Sequence, residues 1–204
     1  SGLADATGGE LPAPPAPDAS GQSWDLAARG CLNVQSRLMS GDADGAAELV
    51  ESALQYTLAS GGLDDDFMNF WPPLVRAAVA AGQPELAERL LEPVTSAPPG
   101  ILSPAVAAHL LHLRGLVAAL HEDGRESVES DLRAGVQALA DFGAAGWSAR
   151  AEEDLGRWLL DQGRLDEAEV ALDHASEVYR QIGADGWLAR LEAARSVRVG
   201  QLAD

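Results

Sequence analysis

From Trp24 onward, apolar and polar positions follow the three-to-four-residue spacing of amphipathic helices. Short polar turns interrupt this pattern, and four of them contain a glycine: Gly41, Gly82, Gly124 and Gly163. Successive glycines lie 41, 42 and 39 residues apart (82 − 41, 124 − 82, 163 − 124). Because glycine readily adopts the left-handed conformation that ends a helix, this spacing predicts a repeated helix–turn–helix unit of about 40 residues.

The pattern predicts four helical hairpins followed by a single C-terminal helix. The predicted first helices cover 24–40, 64–81, 103–122 and 146–162, and the second helices cover 43–59, 84–95, 126–142 and 166–182. The last helix covers 186–199. Residue types typical of helix starts, as caps, first-turn acids or first-turn prolines, support these bounds: Asp64, Ser103, Asp166, Pro84 and Pro104.

A small residue follows three of the four turn glycines by five positions. These residues are Ala46, Ala87 and Ala168, and the third unit departs from the rule with Val128 nearby. A small side chain there predicts that the second helix of each hairpin approaches the first closely.

One phrase occurs twice, as "FGAAGWSAR" and "IGADGWLAR", with Gly143 and Gly183 separated by 40 residues (183 − 143). Each copy falls where one hairpin is predicted to end and the next to begin. The repetition predicts a repeated joint, in which four apolar side chains pack between units: Phe142, Trp147, Ile182 and Trp187.

The segment "DQGRLDEAEVALDHASEVYRQIGADGWLAR" resembles a tetratricopeptide-type repeat, with its G-x-x-x-x-A turn and the late aromatic Tyr179. The period matches a longer, MalT-like form of about 40 residues rather than the ~34 of the standard repeat. That form is similar to the C-terminal repeats of bacterial nucleotide-cyclase and ATP-dependent LuxR-type regulatory proteins. The resemblance implies an all-α, superhelical array of antiparallel hairpins that senses a ligand or partner in signal transduction. It covers 124–199 well and 23–123 less closely, and it marks no catalytic residue.

Residues 1–22 differ from the rest, since they are rich in Pro, Gly and Ala and contain few large apolar side chains. A segment of this composition cannot bury enough apolar surface to offset the conformational entropy that it would lose on folding. We therefore expect a linker or tail before a repeat domain at 23–204. The alternative is that "PAPPAP" serves as a peptide ligand for a domain that binds proline-rich segments.

The net charge of −18 argues against binding to nucleic acid or to an anionic membrane, because both attract clustered cations. The apolar run 101–120 is interrupted by His109, His112 and Arg114, which favours a buried helix over a membrane span. The lone Cys31 cannot form an internal disulfide, and a reducing, cytoplasmic setting is the simplest expectation.

Motifs for phosphate-cradling loops, dinucleotide binding, nucleophile elbows and zinc proteases do not occur, and we expect neither cofactor nor enzymatic activity. His109 and His112 share a helix face but lack an evident third metal ligand, so satisfied helix histidines are the preferred interpretation. His174 and the acidic runs at 64–66, 152–154 and 166–167 are interpreted as helix starts and solvated faces.

Several arginines fall in the predicted first helices, which usually line the concave surface of stacked hairpins. One interpretation is a groove for carboxylate groups of a peptide or acidic ligand. The other is pairing within the chain, for example of Arg150 with Asp154. Phe67, Phe70 and Trp71 likewise either line an apolar groove or belong to the core. The candidate binding residues are Asn69, Trp71, Arg76, Arg114, Arg150 and Arg157.

The function expected from these features is a non-catalytic sensor or scaffold module that binds a protein, peptide or small effector. It would form the C-terminal part of a larger bacterial signalling or transcription-regulatory ATPase or cyclase-type protein. Two alternatives stay open at this point: a free-standing structural or oligomerisation adaptor, including a homo-oligomer, and an all-α enzyme.

Overall fold

The computed structural model of the chain describes residues 21–61, 63, 67–98, 100–121 and 127–202. The regular elements in these ranges are helices, and none of these helices is both long and apolar enough to cross a membrane. Nine helices have 12 to 19 residues and one, α2, has 5. In chain order they are α1 Gly21–Met39, α2 Ala43–Ala47, α3 Val50–Gly61, α4 Phe67–Ala80, α5 Pro84–Thr95, α6 Pro104–Ala118, α7 Val128–Asp141, α8 Ala145–Asp161, α9 Leu165–Gln181 and α10 Asp185–Leu202.

The predicted helices are confirmed within a few residues, with one correction. The segment 43–59 was expected to form a single helix, but it is divided into α2 and α3. The Leu49 N–H donates to the carbonyl of Ala46, three residues back. This hydrogen bond is of the 3₁₀ type and interrupts the four-residue hydrogen bonding of the α-helix at that point. Asp42 caps α2, since its side chain accepts from the Gly45 N–H. The predicted cap Asp64, the turn glycine Gly124 and the tail to residue 20 lie outside the described residues.

Glycine ends the helices as the spacing predicts. Gly163 has φ +74° and Gly183 has φ +69°, and the residue after each donates its N–H to a carbonyl five positions back. This backbone arrangement is the Schellman motif, which needs a left-handed residue and therefore favours glycine. The same positive φ occurs at the turn or joint glycines Gly41, Gly82 and Gly143.

Most of the helices pack against their neighbours along the chain. α1 packs against α3 and α4, α6 against α7, α8 against α9, and α9 against α10. α7 also contacts α8, and α4 contacts both α5 and α6, so each hairpin adjoins the next.

Small residues allow the helices of a hairpin to approach closely. Ala46, Ala87 and Ala168 are fully buried, as the sequence pattern predicts. In the third unit, the backbone of Gly135 on α7 lies directly against α6, where a Cβ atom would come within 2.5 Å of the Cα of His112. Tight backbone contact therefore fixes the α6–α7 hairpin as well.

The largest apolar cluster in the described ranges lies among α1 to α6 and includes Trp71. The ring of Trp71 is fully buried and stacks on Phe67, with ring centroids 5.4 Å apart. Its Nε1–H donates to the carbonyl of Leu90 over 2.7 Å. Phe67 and Phe70 are also buried, so these three aromatic residues belong to the core rather than to an open groove.

Candidate functional site: a buried arginine cluster

Helix α8 places two consecutive carboxylates inside the protein. Glu153 is fully buried and Asp154 nearly so. This corrects the prediction that the acids at 152–154 lie at a helix start or on a polar face. Basic side chains from α8 itself and from other helices surround both carboxylates, as buried charges require.

Glu153 accepts hydrogen bonds from three arginines and a tyrosine. Arg150 donates through Nη1 over 2.6 Å and Arg157 through Nη2 over 2.7 Å, both from within α8. Arg190, on α10, donates through Nη2 to both carboxylate oxygens at 3.1 Å. The hydroxyl of Tyr179, on α9, donates over 2.9 Å. Arg150 and Arg190 occupy matching places in the repeated phrase, so the repetition brings two guanidinium groups to one carboxylate.

Asp154 forms a second set of bonds toward α4 and α6. Arg76 makes a two-pronged ion pair with it, and His112 Nε2 lies 3.0 Å from its Oδ2. Burial opposes ionisation of this carboxyl, but the Arg76 guanidinium and the bonds from His112 and Arg76 hold the pKa of Asp154 well below its usual range. Burial lowers the pKa of His112, so His112 is neutral and donates its Nε2 proton to Asp154.

Together these groups form what we call the arginine cluster: Arg76, Arg150, Arg157, Arg190, Glu153 and Asp154. Four guanidinium groups face two carboxylates, which leaves an excess of two positive charges (4 − 2). Burial lowers the pKa of Arg150, and the positive charge of the neighbouring Arg76 lowers it further. This excess stands out in a chain of net charge −18 that contains no lysine.

Two adjoining cavities open onto the cluster and share Leu38, Arg76, Arg150 and Arg190. The aromatic cavity, of about 90 Å³, is completed by Gln35, Met39, Pro73, Trp147 and Trp187. The aliphatic cavity, of about 270 Å³, is completed by Val79, Ala80, Leu116, Asp154 and Arg157. Asp154 is the one acidic residue among the described residues that line either cavity, so both present mainly positive charge.

A row of aromatic rings leads away from the aromatic cavity. Trp147 lies with its ring centroid 6.3 Å from that of Trp187 and 4.9 Å from that of His109. His109 is fully buried, and neither ring nitrogen has a hydrogen-bond partner among the described residues. Burial, with the nearby His112 and Arg76, lowers the pKa of His109 to about 3. His109 is thus not the satisfied helix histidine that was predicted, whereas His112 is.

The other candidate binding residues lie apart from the cluster. Asn69 is exposed, and its backbone carbonyl faces Cys31 Sγ at 3.8 Å. Trp71 is buried in the core, so its ring does not reach a binding surface. Arg114 is half exposed and pairs with Asp131 at 3.6 Å. Of the six candidate residues, the structure brings together only Arg76, Arg150 and Arg157.

At the joints, the rings of Trp147 and Trp187 lie next to each other, whereas Phe142 and Ile182 remain about half exposed. The side chains of Phe142 and Ile182 are 46% and 48% exposed. Ile182 nevertheless lies over Gly146, where a Cβ atom would be 3.4 Å from its Cδ1. The second copy of the repeated phrase therefore packs against the first, because Ile182 and Trp187 both lie beside Gly146.

A larger surface groove, of about 460 Å³, lies between α7, α8 and α9. Its charged side chains pair with each other: Arg133 Nη2 lies 3.2 Å from Glu167, and His174 bonds to Glu152. His174 is largely exposed, as predicted. Because these pairs compensate each other, the groove has no charge excess comparable to that of the arginine cluster.

Glu153, Tyr179 and Arg190 were not predicted as site residues, and Arg150 bonds to Glu153 rather than to the predicted partner Asp154. One available signal was the matching position of Arg150 and Arg190 in the repeated phrase. Another was the spacing of Arg150, Glu153 and Arg157, since residues three and four apart meet on one helix face. No group of three or more His, Cys, Asp or Glu side chains within the described ranges has a geometry that could hold a metal ion.

No protein-family model matches the chain, and neither a curated protein nor a solved structure matches it.

Proposed function

We propose that this protein is a non-catalytic interaction module that recognises an anionic partner at the arginine cluster. The observation that carries the proposal is the excess of two positive charges beside two open cavities. A guanidinium group held in a partly buried site interacts strongly with a carboxylate or phosphate, because little water screens the charges.

The arrangement of the cluster supports binding more than it supports stability alone. Two carboxylates would need only two arginines for neutralisation, and Arg157 and Arg190 remain 45% and 38% exposed. Each of these two guanidinium groups reaches Glu153 through one terminal nitrogen and keeps further N–H donors for a second acceptor. Their positions beside the aliphatic cavity make them available to an incoming acid.

We further propose that the helices form a tetratricopeptide-like superhelix, in which α4, α6, α8 and α10 contribute the recognition surface. Support comes from the glycine-ended hairpins, the repeat of about 40 residues and the packing of adjacent hairpins. In the same proposal, the chain is the sensor or scaffold part of a larger bacterial signalling or transcription-regulatory protein. Occupation of the cluster would then shift the conformation of the attached domains.

The test is isothermal titration calorimetry with a short polyglutamate peptide and, for comparison, a polyglutamine peptide of equal length. We expect the acidic peptide alone to bind. Replacement of Arg157 and Arg190 by glutamine should weaken that binding about tenfold or more, which corresponds to about 1.4 kcal/mol. Glu153 keeps Arg150 and Tyr179 as partners in this variant, so the fold should persist.

The matched control replaces Arg180 and Arg195 by glutamine, which changes the total charge equally but leaves the cluster intact. Arg180 pairs with Glu177 and Arg195 with Asp173, away from both cavities. Equal loss of affinity in both variants would show that net charge, rather than the cluster, governs binding. Failure of the peptide to bind the unmodified protein would favour the structural-adaptor alternative.

A further inference from the structure

We propose that the arginine cluster binds a phosphomonoester dianion whose aromatic ring enters the aromatic cavity. This inference rests on the proposed function, because it uses the same guanidinium groups, and it specifies the chemical class of the ligand.

The charge of the cluster favours a dianion. The excess is two positive charges, and His109 and His112 add none because both are neutral. A single carboxylate would leave one positive charge uncompensated. A phosphomonoester carries about −1.5 to −2 near neutral pH and therefore comes closest to compensating the site with one group.

The donors of the cluster suit the three terminal oxygens of a phosphate. Arg150, Arg157 and Arg190 each reach Glu153 through one terminal nitrogen, so these three guanidinium groups meet around one point. Each guanidinium has five N–H donors, and most are left over for a second acceptor. Glu153 thus acts as a positioning residue that holds three guanidinium groups together before the ligand arrives, which reduces the entropy cost of binding.

The aromatic cavity supplies a place for a flat apolar group directly beside two of these donors, Arg150 and Arg190. Trp147 and Trp187 form its aromatic walls, and Pro73 and Met39 contribute apolar surface. An enclosed cavity of ~150 Å³ holds a benzene molecule. The open cavity of about 90 Å³ accordingly has room for the edge of an aromatic ring. Edge-to-face or offset contact with tryptophan stabilises a bound aromatic ring beyond the burial of its apolar surface.

The test compares phenyl phosphate with inorganic phosphate and with benzoate by calorimetry on the unmodified protein. We expect phenyl phosphate to bind about tenfold more tightly than either, because it alone combines the ring with the dianion. The Met39→Ala variant should reduce the advantage of phenyl phosphate over inorganic phosphate. Leu32→Ala is the matched control, since Leu32 is an equally exposed apolar residue of α1 outside both cavities.

An aryl phosphate has two natural sources: a phosphotyrosine side chain, or a free phosphate ester of an aromatic compound. A phosphotyrosine peptide that binds more tightly than phenyl phosphate would assign the protein source, and the reverse order would assign the free compound. Equal affinity for phenyl phosphate and inorganic phosphate would overturn the inference, even if polyglutamate binds and the proposed function stands. Absence of binding by every anion would overturn both.

Discussion

Arg76 and Asp154 form a two-pronged ion pair that connects α4 to α8 across 78 residues of sequence, with Nη2 and Oδ1 separated by 2.9 Å. Both side chains are largely buried, and Asp154 also accepts a bond from the fully buried His112. The pair thus links the second, third and fourth hairpins at one point. The excess arginines that we assign to ligand recognition surround this same link.

Removal of the carboxylate from this pair should be strongly destabilising. We expect Asp154→Ala to lower the free energy of unfolding by about 3–5 kcal/mol, because Arg76 is then left buried without its counter-ion. Urea denaturation measures the change. The control is Glu51→Ala, which breaks the exposed pair between Glu51 and Arg89 and should cost less than about 1 kcal/mol. Equal costs for the two variants would contradict a buried, structural role for the Arg76–Asp154 pair.

Two glycines three residues apart should respond oppositely to alanine. Gly183 has φ +69°, so Gly183→Ala strains the Schellman turn and should lower the free energy of unfolding by about 1 kcal/mol or more. Gly186 lies inside α10 with open space around its Cα, so Gly186→Ala should be neutral or stabilise by up to about 1 kcal/mol. Thermal unfolding of both variants checks the repeated joint, and a loss of stability in Gly186→Ala would show that this joint is packed differently.

The buried histidines make stability depend on pH. The pKa of His109 falls from 6.5 to about 3 on folding, so the unfolded chain binds more protons than the folded chain between these values. Stability should therefore rise with pH across this window, by up to about 1.4 kcal/mol per pH unit from this one group. Asp154 acts from the acidic end of this window downward: its lowered pKa adds stability that is complete above about pH 4 and is lost as the pH falls further.

His109→Leu and His109→Gln isolate this contribution. Both variants should flatten the rise in unfolding free energy relative to the unmodified protein when urea denaturation is repeated from pH 4 to pH 7. His109→Leu should also be the more stable of the two at neutral pH, because it removes two buried nitrogens that have no hydrogen-bond partner. An unchanged slope in both variants would mean that His109 reaches solvent in the folded state.

The elements of this fold could be predicted because local signals determine them. Gly41, Gly82 and Gly163 end helices through their own backbone conformation, and Ser103 caps α6 by accepting from the Val106 N–H. These features act over a few residues, so spacing along the chain reveals them. The break between α2 and α3 was missed because no glycine or proline marks it.

The candidate site could be predicted only in part, because long-range pairing forms it. Arg76, Arg150 and Arg157 were selected as charged residues of first helices, but nothing local indicates that Glu153 and Asp154 become buried. Two of their partners, Arg76 and Arg190, come from the distant helices α4 and α10. Trp71 was misplaced for a similar reason, since its burial depends on α5, which receives its Nε1–H bond at Leu90.

NMR of the guanidinium groups tests directly whether the arginine cluster binds an acidic partner. Because every cationic side chain apart from histidine is an arginine, a ¹H–¹⁵Nε spectrum reports all of them at once. We predict that titration with polyglutamate shifts the signals of Arg150, Arg157 and Arg190 along one saturating curve, while the exposed Arg89 and Arg180 stay in place. Small, uniform shifts of all exposed arginines, with no saturation at the cluster, would contradict the account.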